Sequence, residues 1–230
     1  MYPNEFSSIK KIEENRVLLK KASSEFMGTS VLVLVGTGTA VLSNNNIGIA
    51  MAFGLTLIAM IYTLGSISGG HFNPAVSLAF FLNKRIDMKV LLIYCLSQLI
   101  GAVVGSGILL VVLKTSGLSS ASLGENTTSH IGIGSSFLVE AILTMLFVFV
   151  ILSVTNDDTY STLAGFVIGV TLIAMILVAL PLTGASFNPA RSFGPALLVG
   201  GESLRELLIF IVAPLVGGMF ASILNCFFKK

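Results

Sequence analysis

Charge is what this 230-residue chain has least of: Asp, Glu, Lys and Arg together supply 10% of it. A soluble domain carries about 25%, and a surface this poor in charge cannot be kept wet. That excludes the usual soluble enzyme, nucleic-acid binder or disordered tail. The net charge of +2 gives no electrostatic case for an acidic partner, nucleic acid included. Trp is absent, and the two cysteines, Cys95 and Cys226, lie in apolar runs and read as buried reduced thiols. No CxxC or Cys/His cluster points to a metal. With two histidines, no phosphate loop and no nucleophile–base set, the sequence argues against an enzyme and calls for no cofactor.

What is abundant is apolar. Hydrophobic residues make up 54% of the chain, with 16 Phe and 23 Gly, and the mean hydropathy is +0.96. Frequent Gly fits membrane helices, where small residues let backbones approach. Residues 1–24 are polar and read as a lead-in helix in the cytoplasm. Long apolar runs then follow at 25–43, 47–68, 88–113, 135–155, 160–180 and 205–227, each near the ~20 residues that cross a bilayer. The first run lacks an obvious cleavage site and reads as a retained span. A single membrane domain is expected at 25–227, with repeats at 25–113 and 135–227 and a tail at 228–230.

Ten of the thirteen Lys and Arg fall before the first span, between the second span and the start of the third, or at the C-terminus. The positive-inside rule puts these segments, and both termini, in the cytoplasm. The connection Asn156–Asp157–Asp158 on that side is acidic, a small departure.

Two apolar stretches, 69–83 and 184–200, are too short to span, and each holds Asn-Pro-Ala near its start. Asn73 and Asn188 are good N-caps. Pro74 and Pro189 suit the first helical position, where the missing N–H would be an orphan anyway. Ala75 and Ala190 follow. Each stretch therefore reads as a loop that turns into a short capped helix.

The halves repeat at a constant offset of 115 residues. Glu25 and Thr29 match Glu140 and Thr144, Gly54 and Thr56–Ile61 match Gly169 and Thr171–Ile176, and Phe72–Ala75 matches Phe187–Ala190. With three spans per half, the second half enters from the opposite side, an inverted repeat. The two half-helix N-termini then meet near the midplane, where irregular backbone is tolerated only if it is buried or lines a cavity. Each end carries about +0.5 charge, so cations are repelled, while the Asn amides can donate to a neutral oxygen. The loops Gly69–Gly70–His71 and Gly184–Ala185–Ser186 are small enough to leave carbonyls exposed as acceptors.

The motifs SGGHFNPAV (68–76) and SFNPARS (186–192), the two Glu-x-x-x-Thr starts and AFGLT (52–56) resemble the aquaporin and glycerol-facilitator family over about residues 25 to 227. The resemblance implies six transmembrane helices plus two re-entrant half-helices, an all-α membrane protein with a pore in each protomer of a homotetramer. It implies passive flow of water or small neutral solutes through the pore of a protein embedded in membrane lipid, with ions and protons excluded. The small residues Gly101, Gly105, Gly217 and Gly218 are expected to support the helix contacts of that assembly.

The resemblance also places an outer constriction at Phe53, Ile176, Ala185 and Arg191. Water channels of the family usually carry His in place of Ile176, and glycerol facilitators a small residue there with an aromatic in place of Ala185. This chain follows neither. Ser192, where glycerol facilitators typically have Asp, and Ala196, where they often have a basic residue, favour water, with ammonia, carbon dioxide, hydrogen peroxide or metalloid acids as further solutes. Phe210 stands where facilitators tend to have Pro, although Ile211 replaces the aromatic of water channels. A glycerol or urea facilitator is the alternative. A secondary active transporter also uses inverted repeats, but usually needs titratable groups at the midplane. A junction-forming structural membrane protein is the third reading.

Several residues have plainer readings. Arg191 could snorkel to headgroups, but facing lipid costs several kcal/mol, which favours a turn into a water-filled path. Glu25 and Glu140, placed symmetrically, are expected to accept hydrogen bonds from the loop backbones. His71 reads as a lining residue at least as well as a pH gate, and His130 as a solvated one. Asn126–Thr127–Thr128 is a glycosylation sequon in an expected external loop.

Overall fold

The computed structural model describes residues 3–156 and 162–229. Eight helices make up the regular structure among them: α1 (Pro3–Leu42), α2 (Asn46–Ser68), α3 (Pro74–Leu82), α4 (Met88–Thr115), α5 (Ile133–Val154), α6 (Ala164–Thr183), α7 (Pro189–Val199) and α8 (Gly201–Phe228). Six of them are long and apolar enough to cross a membrane, α3 and α7 being too short. The chain is thus an integral multi-pass membrane protein. The acidic connection after α5 lies, apart from Asn156, outside the described residues.

The lead-in segment and the first span form one helix of 40 residues. Nothing between them breaks it: the stretch is rich in Lys, Glu and Leu, all good helix formers. At 1.5 Å per residue α1 is about 60 Å long, twice the ~30 Å hydrocarbon core.

The two halves pack alike. α1 lies along α4 as α5 lies along α8, and α1 meets α2 as α5 meets α6. α2 and α6 cross at the centre, where Gly54 faces Gly169: a Cβ on either would stand 2.6 Å from the other's carbonyl oxygen. The short helices exchange sides, α3 against α8 and α7 against α4, so each is wedged into the other half.

The glycines singled out for assembly serve a different purpose. A Cβ at Gly101 would run into Phe26 O, at Gly105 into Ser30 O, at Gly217 into Ala141 O and at Gly218 into Ala75 O. All four allow close crossings within the chain, so they say nothing about contacts between copies. The outer surface of the bundle instead carries large exposed side chains, among them Leu92, Leu96, Ile223 and Phe227.

Candidate functional site

Each half-helix begins as its sequence dictates. Asn73 is extended and its side chain accepts from Ala75 N at 2.8 Å, with Pro74 opening α3. Asn188 accepts from Ala190 N at 3.0 Å and Arg191 N at 3.3 Å, with Pro189 opening α7. The residue before each Asn is left-handed, Phe72 at φ 49° and Phe187 at φ 53°. A bulky residue adopts this conformation at a cost and only where its surroundings fix it. A buried carboxylate does so in each half. Glu25 accepts from His71 N (3.0 Å), Phe72 N (2.6 Å), Ser68 Oγ (2.7 Å) and Gln98 Nε2 (2.7 Å). Glu140 accepts from Ser186 N (2.9 Å), Phe187 N (2.8 Å) and Thr183 Oγ1 (2.6 Å).

The left-handed turns point two carbonyls across the molecule. Asn73 Nδ2 donates to Phe187 O at 2.8 Å and Asn188 Nδ2 donates to Phe72 O at 2.9 Å. The half-helices are thereby tied N-terminus to N-terminus. An amide NH2 has two hydrogens, so each Asn keeps one beyond this bond.

A cavity of about 40 Å³ runs past this junction. Asn73 and Asn188 line it, as do Phe53, Ile176, Ala185 and Arg191. Gly69, Gly70, His71, Ala185 and Ser186 line it too, from the loops expected to present carbonyls. Gly184 is the exception: it is not in the lining, and its carbonyl accepts from Arg191 Nη2 at 3.1 Å. Much of the remaining wall is apolar, including Leu57, Ile168 and Leu172.

Arg191, buried in α7, is turned to this cavity and not to lipid. Its Nη1 donates to Gly124 O at 2.8 Å and Asn126 Oδ1 at 2.7 Å. Its Cζ lies 5.3 Å from the Phe53 ring centroid, within cation–π range. Its Nε, fully buried, has no partner. His71 Nδ1 pairs with Ser77 Oγ at 3.0 Å, and its ring packs on Phe80 with centroids 4.2 Å apart. The repeat places Ser186 and Ser192 at the matching positions, and their hydroxyls are bonded likewise. Beyond His71, Arg85 stacks on Phe80 at 4.1 Å and donates twice to Thr155.

Sequence reasoning missed Ser68, Thr183, Gln98 and Asn126. The first two were within reach, since each stands 43 residues after its glutamate and the repeat pairs them. Asn126 was seen only as a sequon. It is 3% exposed and its Nδ2 donates to Thr183 O at 3.1 Å, so in the folded chain it has no room for a glycan. His130, by contrast, is exposed.

The family described as Major intrinsic protein matches residues 11–225. Glycerol uptake facilitator protein-like 6 of Lactiplantibacillus plantarum is 46% identical over 206 residues, covering 89% of this chain and 95% of that protein. Aquaporin Z of Brucella melitensis is 39% identical over 220 residues, covering 90% and 96%. Among solved structures, the aquaglyceroporin of Plasmodium falciparum superposes with a TM-score of 0.81 at 23% identity, over 90% of this chain and 96% of that one. This last likeness concerns the fold.

Proposed function

The chain belongs to the major intrinsic protein family, a family of membrane channels, and from that premise we propose that it is a passive water channel that also admits small neutral solutes. The observation that carries the reading is the paired bond of Asn73 to Phe187 O and Asn188 to Phe72 O beside the cavity. It sets two helix N-termini, each about half a positive charge, against one point of the cavity. A cation meets that field and an apolar wall. A water oxygen meets the free hydrogens of two Asn amides. A water that accepts from both Asn turns its own hydrogens outward, which interrupts the chain a proton would follow.

Phe53, Ile176, Ala185 and Arg191 are proposed as the selective ring. Arg191 supplies its charge and donors, Ala185 its free volume, and Ile176 makes it less polar than a ring with His. A glycerol facilitator is the second reading, favoured by the name of the Lactiplantibacillus relative and by the room Ala185 leaves. Ser192 in place of Asp speaks against it.

In this reading the buried carboxylates Glu25 and Glu140 brace the loops, the protein works as a homotetramer in the cell membrane, and both termini face the cytoplasm. Stopped-flow light scattering on proteoliposomes with water, glycerol and urea gradients tests the solute. Water flow far above that of empty liposomes, with little glycerol flow, is the expected result. Glycerol flow that keeps pace with water selects the second reading, and dependence on a proton or sodium gradient overturns both.

A further inference from the structure

We propose that Asn126, in the connection between α4 and α5, is the positioning residue that sets where Arg191 stands and so governs passage through the ring. The inference rests on the channel reading above.

Among the described residues the Arg191 guanidinium has three acceptors: Gly124 O, Gly184 O and Asn126 Oδ1. Two are backbone, so Asn126 is the one side chain in the set. At 2.7 Å its bond is also the shortest of the three. The amide orientation is fixed by its surroundings. Oδ1 accepts from Arg191 Nη1 and from Ser192 Oγ at 2.8 Å, while Nδ2 donates to Thr183 O at 3.1 Å. The reverse orientation would set an NH2 against a guanidinium and an oxygen against a carbonyl. Both lone pairs of Oδ1 are engaged.

Asn126 is itself held. Thr128, two residues on, bonds through its N–H and its hydroxyl to the Glu206 carboxylate on α8, and Thr127 N donates to Thr183 O at 3.2 Å. Leu123, at 1% exposure, anchors the other flank in a cluster with Leu109 and Leu113. The connection is therefore a strap fastened on both sides of Asn126, and Asn126 passes that rigidity to Arg191. Held in this way, the guanidinium lies against the Phe53 ring at the cavity wall. Released from Asn126, it swings into the cavity it lines, and water must wait for it to move.

The test compares wild type, Asn126→Ala, Arg191→Val and the double variant in proteoliposomes, with water flow measured over a range of temperatures. Asn126→Ala is expected to lower water permeability per protomer about threefold or more, in keeping with loss of one charge-assisted hydrogen bond, and to steepen its Arrhenius slope. In the Arg191→Val background the same change is expected to do nothing. Asn126→Asp keeps the acceptor for Arg191 while losing the donor to Thr183 O, and is expected to retain the wild-type slope because the bond to Arg191 is the one that sets it. An unchanged slope in Asn126→Ala, an equal loss in both backgrounds, or an Asn126→Asp slope as steep as that of Asn126→Ala overturns the proposal. A merely structural role would remove active channels without changing the slope of those that remain. Where Asn126→Ala yields no folded protein, Asn126→Ser, whose hydroxyl stops short of Nη1, takes its place under the same outcomes. A wild type that passes no water fails the channel reading instead. The cycle is then read on thermal unfolding, where non-additive shifts support the coupling and additive ones overturn it.

Discussion

The Asn73 side chain bridges the two halves of the chain: its Oδ1 caps α3 at Ala75 N while its Nδ2 reaches Phe187 O, 114 residues away in sequence. One side chain thus serves local and long-range structure together. Asn73→Ala removes both bonds and leaves Phe187 O unpaired in a buried place. Losing a cap costs about 1 kcal/mol, and a buried acceptor without a donor about 1–3 kcal/mol. The variant is expected to unfold at lower temperature in detergent and to pass less water. Equal thermal stability in the variant and wild type would show that the cross-link does not hold the half-helices together.

The carboxylates carry a larger share. Glu140→Ala leaves Ser186 N, Phe187 N and Thr183 Oγ1 without an acceptor at once, and Phe187 and Ala185 remain in left-handed backbone. We expect a greater loss of thermal stability than for Asn73→Ala, with Glu140→Gln in between because it keeps one carbonyl acceptor. Thermal unfolding of the three variants side by side checks the order. A Glu140→Gln protein less stable than Glu140→Ala contradicts it.

The spans, the two half-helices and their caps were legible because each rests on a local signal: apolar run length, or Asn-Pro at the head of a short apolar stretch. The inverted repeat was legible from a constant offset. What was not legible depends on direction or on distance. That Gly101 and Gly217 face a neighbouring helix and not a second copy is a matter of rotation about the helix axis, and helices apolar on all sides give no periodic cue to it. Asn126 sits in an irregular loop with its partner Arg191 65 residues away, and the repeat offset pairs it with a lysine of the lead-in helix. Of the proposed ring, Arg191 was anchored by its place after Pro189–Ala190. Phe53 was found through the AFGLT match and Ile176 and Ala185 by their distances from Asn188; all four line the cavity.

Gly54 and Gly169 let α2 and α6 cross at the centre. A Cβ on Gly54 would overlap Ile173 and stand 2.6 Å from Gly169 O. Neither neighbour can give way cheaply, one being backbone and the other part of the packed crossing. Gly54→Val is expected to yield little folded protein, because overpacking at a backbone contact costs about 1–3 kcal/mol or more. Gly107, where a Cβ meets nothing within 4 Å, is the matched control, and Gly107→Val is expected to elute as wild type does in size-exclusion chromatography. A Gly54→Val protein with the same elution volume and yield as the control sinks the argument.

The proposed ring of Phe53, Ile176, Ala185 and Arg191 can be altered one property at a time. Ala185 sets its free volume, and it stands at φ 52°, a conformation that Phe72 and Phe187 already adopt in the same loops. Ala185→Phe adds bulk at a backbone cost of the kind the loop already bears at Phe187, and is expected to reduce passage of any solute larger than water while water continues to flow. Ile176, at 2% exposure, sets the polarity of the wall. Ile176→His adds a second polar contact beside Arg191 and is expected to favour water over less polar molecules. Arg191→Val removes the charge and three donated bonds, and is expected to admit cations or protons that the wild type excludes. Water, urea and ion permeability of the three variants, each normalised to protein in the membrane, gives the answer. Three distinct changes of permeability ratio identify the ring, and ratios all equal to wild type place the filter elsewhere along the cavity.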